Sequence, residues 1–99
     1  MTELVFLFSA DADIQAAYEF YEDCQRGRGE IFLRLLDIAL GRVREFPEIA
    51  PVFHGTYRRL LVADFPFGVF YSLEGQRIII TAVMDLRQDP DTIRKRLGG

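Results

Sequence analysis

The sequence predicts a small α+β domain over residues 1–99, in the order β-α-α-β-β-β with a short C-terminal helix. The expected sheet is an antiparallel meander joined by the N-terminal strand, with an αα-hairpin packed on one face. Three observations carry this. Apolar residues recur at helical spacing through two stretches of the first half. Three runs dense in Val, Ile, Phe, Tyr and Leu follow, separated by tight turns. One short apolar run precedes everything else, and a lone strand must join the others to satisfy its backbone. Ninety-nine residues leave no room for a second domain.

The elements follow in order. Residues 4–8 are an apolar run too short for a helix and read as a buried strand. Asp11 is the expected N-cap of the first helix, with Asp13 favourable in its first turn. Ile14, Ala17, Tyr18 and Tyr21 fall on one helical face, and Gly27 and Gly29 end the helix near Arg26. In the second helix Phe32, Leu35, Leu36, Ala39, Val43 and Phe46 keep the same period. Ile31, Ile38 and Leu40 widen its apolar sector, which predicts cover on two sides. Glu30 and Arg34 stand at i, i+4 in the order that favours a surface ion pair. Pro47 stops the helix at Phe46, because a residue before proline avoids the α region. After the 47–51 connection come strands at 56–63, 67–73 and 77–84, with turns at 64–66 and 74–76. The last two are almost continuously apolar, as strands covered on both faces are. Asp89-Pro90 closes the last strand, and residues 91–97 form a short basic helix.

Composition bounds the function. The chain is 49% hydrophobic with nine Phe and four Tyr, more apolar surface than one small core hides easily. Two readings stand: an aromatic-rich core, or an exposed docking groove for a partner. Net charge is −3, which argues against tight polyanion binding by the whole surface. The halves differ: residues 1–51 hold ten acids and five bases, net −5, and residues 52–99 hold five acids and seven bases, net +2. All the basic residues except Lys95 are arginines, which suits carboxylate or phosphate recognition. A single cysteine, Cys24, excludes an intrachain disulfide and a cysteine metal cluster, as expected in a reducing cytosol. No apolar run approaches the roughly 20 residues of a membrane span, and no signal core is present, so a soluble cytoplasmic protein without membrane contact is expected.

Tyr57-Arg58-Arg59, Phe65-Pro66-Phe67-Gly68-Val69-Phe70-Tyr71 and the run from Ala82-Val83-Met84-Asp85 through Leu86-Arg87-Gln88-Asp89-Pro90 together resemble the RelE/ParE superfamily. These are bacterial toxins of type II toxin–antitoxin and plasmid-stabilisation systems. Its members typically show an arginine-rich second strand, a Phe-Pro-Tyr-Arg-aliphatic-aliphatic-Tyr third strand and an Ala-Val-aliphatic-His-x-x-Arg-x-Pro fourth strand. Arg96-Leu97 resembles their closing Arg-Leu. The resemblance spans nearly the whole chain and implies the element order derived above. It also departs at two positions: Gly68 stands where many relatives carry an arginine, and Asp85 where many carry a histidine. Ribosome-dependent mRNA cleavage needs a base, an acid and cations converging on the phosphate. A carboxylate at 85 repels that phosphate instead.

The resemblance therefore favours the ParE-like branch, whose members inhibit a target such as DNA gyrase by binding. A cognate antitoxin would lay an amphipathic segment over the helix hairpin and sheet edge, folding as it binds, in a heterotetramer or other hetero-oligomer. The competing readings are a RelE-like nuclease acting on the ribosome and mRNA through Arg58, Arg59 and Arg87, and a non-toxic binding module. No cofactor and no metal are implied.

Each candidate residue has a plain structural alternative. Arg58 and Arg59 are neighbours on a strand and point to opposite faces, so one of them pairs with a carboxylate if it is not a phosphate ligand. Tyr71 is a weak catalytic candidate against a core tyrosine with its hydroxyl on the backbone. Arg87 is the strongest, against an ion pair with Asp85 or Asp89. Arg58, Arg87, Arg94 and Arg96 are the candidates for target or antitoxin contact. His54, in the loop before the second strand, lacks ligand-spaced neighbours and reads as a turn residue. Cys24 reads as structural or idle, and Glu19, Glu22 and Asp23 as a solvated helix face.

Overall fold

The structure, a computed structural model, describes residues 3–98. Its elements are β1 (Glu3–Phe6), α1 (Phe8–Cys24), α2 (Arg28–Glu45), β2 (Val52–His54), β3 (Tyr57–Leu61), β4 (Phe67–Glu74), β5 (Arg77–Asp85) and α3 (Pro90–Arg96). The sheet order is β1-β5-β4-β3-β2. β3, β4 and β5 form the expected antiparallel meander. β1 joins it in parallel beside β5, with Glu3 opposite Arg77 and Phe6 opposite Ile80. The α+β class and the predicted order hold, with one added edge strand. β2 was not expected: the segment 52–54 pairs antiparallel with β3 across a register irregularity and carries His54, so that histidine lies on a strand instead of in a loop. Three residues after a proline-bounded connection are too few to show strand alternation.

The sheet separates two apolar clusters. On one face the αα-hairpin meets Leu60 of β3, Phe67, Val69 and Tyr71 of β4, and Ile78, Ile80 and Val83 of β5. On the other, α3 lays Ile93 and Leu97 against Phe70, Ala82 and Met84, with Phe53, Tyr57 and Leu86 beside them. β4 is buried on both faces from Phe67 to Ser72, which is why its sequence reads as an unbroken apolar run. In β5 the alternation changes phase. Phe70 pairs with Ala82 but Tyr71 with Ile80, so Thr81 is an extra residue bulged out of the ladder. The bulge lets Ile80 and Val83 share the hairpin face although they stand an odd three positions apart.

Four aromatic rings lock the hairpin to the sheet. Tyr21 of α1, Phe32 of α2, Phe65 and Phe67 stand with centroids 4.8 to 6.0 Å apart, mostly edge to face. Such pairs add about 0.5–1.5 kcal/mol each beyond their burial. Arg28 extends the stack, its guanidinium carbon 5.0 Å from the Phe65 centroid.

Several local expectations are corrected. The first strand ends at Phe6, and α1 starts at Phe8, three residues before the expected cap at Asp11. Leu7 still donates its backbone N–H to Ile80 at 3.0 Å and then offers its carbonyl to Ala10 and Asp11, so the chain turns straight from ladder into helix. Phe8 is left 87% exposed. α1 ends at Cys24, two residues before Arg26. α2 is covered on one side only: Leu40 is buried, but Ile31, Ile38 and Phe46 are exposed. Glu30 does not pair with Arg34; its carboxylate accepts the Tyr18 hydroxyl at 3.2 Å across the hairpin. Nor is Glu22 merely solvated. Its Oε1 accepts the backbone N–H groups of Gly27 and Gly29, both at 2.9 Å, and so caps the N-terminus of α2 from α1. Glu19 accepts from Gln15 at 2.8 Å on the outer face.

Candidate functional site

The candidate arginines divide between the two faces of the sheet, as adjacent strand residues must. Arg58 faces the hairpin side. Neither it nor Arg59 takes a carboxylate partner, contrary to the expectation that one of them would. The Nη1 of Arg58 donates to the carbonyls of Ala50 at 2.7 Å and Glu48 at 3.3 Å. Tyr71, opposite it on β4, is fully buried and donates its hydroxyl to the Pro47 carbonyl at 2.8 Å. Burial pushes the Tyr71 phenol above its ordinary pKa, with the Ala50 backbone and the Arg58 charge opposing. Two side chains that the sequence offers as chemistry thus hold the backbone of the loop after α2.

Arg59 faces α3, where a different cluster forms around Phe53 of β2. The guanidinium carbon of Arg59 lies 4.8 Å from the Phe53 centroid and that of Arg94 5.7 Å from it. Phe53 meets Phe70 edge-on at 5.5 Å. Arg94 also pairs with Asp91 at 3.0 Å. Gly68 explains why Arg59 fits: a Cβ there would stand 3.0 Å from Leu86 Cδ2 and 3.1 Å from Arg59 Cγ. The aliphatic stem of Arg59 lies against the place of that Cβ, so a side chain at 68 would need Arg59 and Leu86 to give by a few tenths of an ångström. The chain has a strand arginine on this face, but it comes from β3.

Arg87, just beyond β5, is bound to Asp85. Its Nη2 donates to Oδ2 at 2.7 Å, Nε to Oδ1 at 3.1 Å, and the Arg87 backbone N–H to the same Oδ1 at 2.8 Å. These hydrogen bonds hold the Asp85 carboxyl below its ordinary pKa, against a smaller push upward from burial. Arg96 reaches back from α3 to Asp13 Oδ2 at 2.7 Å. The same oxygen accepts the Val83 backbone N–H at 2.9 Å. One carboxylate therefore ties α1, β5 and α3 together two residues past the bulge, where Ser9 Oγ also donates to the Thr81 carbonyl at 2.8 Å.

Asp13, Asp85, Phe20, Phe67, Gln88 and Arg96 bound a cleft of about 280 Å³ where α1 meets the end of β5. Sequence reasoning placed Asp13 in a helix turn and did not single out Phe20 or Gln88. No sequence signal joins α1 to residues some 70 positions later. Nor did it find Phe53, hidden in the unexpected β2. The cleft offers two carboxylates and one cation already bound to one of them, an arrangement unsuited to a phosphate. His54 and Cys24 lie outside both clusters, with Cys24 exposed at the end of α1. Among the described residues no group of three or more His, Cys, Asp or Glu could hold a metal ion. No described helix is long and apolar enough to cross a membrane.

A five-stranded sheet with an αα-hairpin on one face and a C-terminal helix on the other defines an α+β fold, here with Arg59 and Arg94 gathered around Phe53. Its architecture is similar to a solved chain described as the chromosomal ParDE TA system from P. aeruginosa. The TM-score is 0.68 at 20% identity, covering 88% of this chain and 98% of that one. At that identity the likeness is one of fold. No family model and no curated protein matches the chain in sequence.

Proposed function

We propose that this protein is a ParE-like toxin of a type II toxin–antitoxin pair, acting by binding to a target such as DNA gyrase and neutralised by a cognate antitoxin. The observation that carries the reading is the fold likeness to a ParDE system, which takes in almost the whole of both chains. The arginine geometry supports binding over chemistry. Arg58 is spent on loop carbonyls and Arg87 on Asp85, while Gly68 supplies no further cation beside Arg59. No lysine lies on a described strand, and His54, opposite Tyr57 across the irregularity of β2, makes no hydrogen bond or ion pair with Arg59. Antitoxin or target contact falls to the arginine-rich half, with Arg87 and Arg94 the accessible members and Arg58 and Arg96 in supporting positions.

Induced expression tests this, with growth, the DNA damage response and mRNA integrity scored together. The expected outcome is arrest with a damage response and intact mRNA, relieved by co-expressed antitoxin. Arrest with cut mRNA that depends on Arg59 would replace this reading with a nuclease. No arrest at all would leave a non-toxic binding module.

A further inference from the structure

The segment joining α2 to β2 exposes its apolar residues instead of burying them. Phe46 is 58% and Ile49 46% exposed, and with Pro47 and the half-buried Leu73 of β4 they wall a cleft of about 440 Å³. The remaining lining residues are Glu45 and Glu48. Neither carboxylate has a hydrogen-bond or ion-pair partner among the described residues. No cation lines the cleft: the last-turn arginines of α2, Arg42 and Arg44, lie outside it, and Arg58 is turned onto backbone carbonyls. The C-terminal end of an 18-residue helix adds partial negative charge at the same place.

This loop is also held still. Three contacts pin its backbone from below: Tyr71 to the Pro47 carbonyl, and Arg58 to those of Glu48 and Ala50. Ala50 is buried beneath it. A fixed backbone that presents apolar side chains outward loses little conformational freedom when something binds, which is what a docking platform requires.

We infer that this cleft docks a basic, apolar segment of a partner protein. One or two aliphatic or aromatic side chains would lie against Phe46, Ile49 and Leu73, flanked by lysine or arginine paired with Glu45 and Glu48. Arg58 and Tyr71 are positioning residues of that platform. Arg58 apart, which holds this loop from below, the surface is separate from the arginines proposed for target or antitoxin contact, and opposite in sign. A second copy of this chain is a poor occupant, because two-fold pairing of the patch with itself sets Glu45 and Glu48 against their own copies.

The probe is a synthetic amphipathic helical peptide with leucines at i, i+4 and i+7 flanked by lysines, and a twin carrying glutamates in place of the lysines. Amide chemical shifts of the full chain are followed as each is added. The lysine peptide is expected to move residues 45–49 and 73, and the glutamate twin to leave them. Ile49→Ser is expected to weaken the lysine peptide by roughly tenfold or more, a loss of about 1.4 kcal/mol. The double change Glu45→Lys with Glu48→Lys is expected to reverse the preference between peptides. Tyr71→Phe is expected to leave the spectrum dispersed and folded while weakening binding several-fold. Shifts elsewhere on the surface, equal response to both peptides, or no response to either would overturn the inference. So would concentration-dependent dimerisation lost in Ile49→Ser.

Discussion

Asp85 and Arg87 hold each other through a forked contact two residues apart, and the fork fixes how Asp85 titrates. Its folded-state pKa lies below its unfolded value, chiefly because of the Arg87 hydrogen bonds. The pair therefore contributes stability above the ordinary carboxylate range, and that contribution is lost as pH falls through the folded-state value. Arg87→Ala is expected to raise the Asp85 pKa back toward its ordinary value, read from its side-chain carbon shift in an NMR titration; an unchanged midpoint would show that the fork does not set it. This contact was legible in the sequence, because it needs only the spacing of 85 and 87. The core placement of Tyr71 was legible too, since a tyrosine on a doubly covered strand is buried. What it bonds to was not: Pro47 is 24 residues away on a loop whose path no pattern fixes. Arg59 on Phe53 was hidden for the same reason.

Elements depend on such contacts at their ends. The turn between α1 and α2 is tight because Gly27 adopts a φ of 90° and Gly29 lets the helices approach. A Cβ at 29 would lie 2.8 Å from the Tyr18 backbone carbonyl, from its ring and from Glu22 Cγ. Gly29→Ala is therefore expected to cost about 1–3 kcal/mol by forcing the helices apart, measured by denaturant unfolding. Glu22→Ala, which removes the acceptor of two N–H groups, is expected to cost about 1–2 kcal/mol in the same assay. At the other end of the molecule, Asp13→Ala leaves the Val83 N–H and the Arg96 guanidinium without their shared acceptor. The expected loss is about 2 kcal/mol, with faster amide exchange in α3 and at Val83 as its local sign. If α3 exchanges no faster, Asp13 does not hold it. The helices were legible from periodicity, but which of their faces is covered was not. Ile31 and Ile38 continue the apolar pattern of α2 and yet stay exposed.

For the whole molecule, the division of charge noted in the sequence becomes a division of surfaces. Carboxylates rim the exposed Phe46–Ile49 platform, whereas α3 carries Arg94, Lys95 and Arg96 in its last turn. An acidic partner is expected to approach the α3 side. Arg94→Glu is expected to slow its association and to steepen the loss of affinity at low salt most, as steering charges do. An antitoxin whose binding rate ignores this change does not use that side. Arg96→Glu is a poorer test because it also removes the cation bound to Asp13. Fold class, the order of elements along the chain and the meander were legible at this scale because a few apolar runs admit few arrangements. The two faces of chemistry were not, since they depend on a bulge at Thr81 and an edge strand of three residues.

The parallel pairing of β1 with β5 has a consequence for how the chain is made. Glu3 finds its partner in Arg77, so closing the sheet joins segments more than 70 residues apart. Contacts this distant along the chain carry a high loop-closure cost and form late. During synthesis the hairpin can form first, but β1 has no strand to join until β5 has left the ribosome. The sheet is completed only by residues 77–85, so a nascent copy lacks its β1–β5 edge until that strand has emerged.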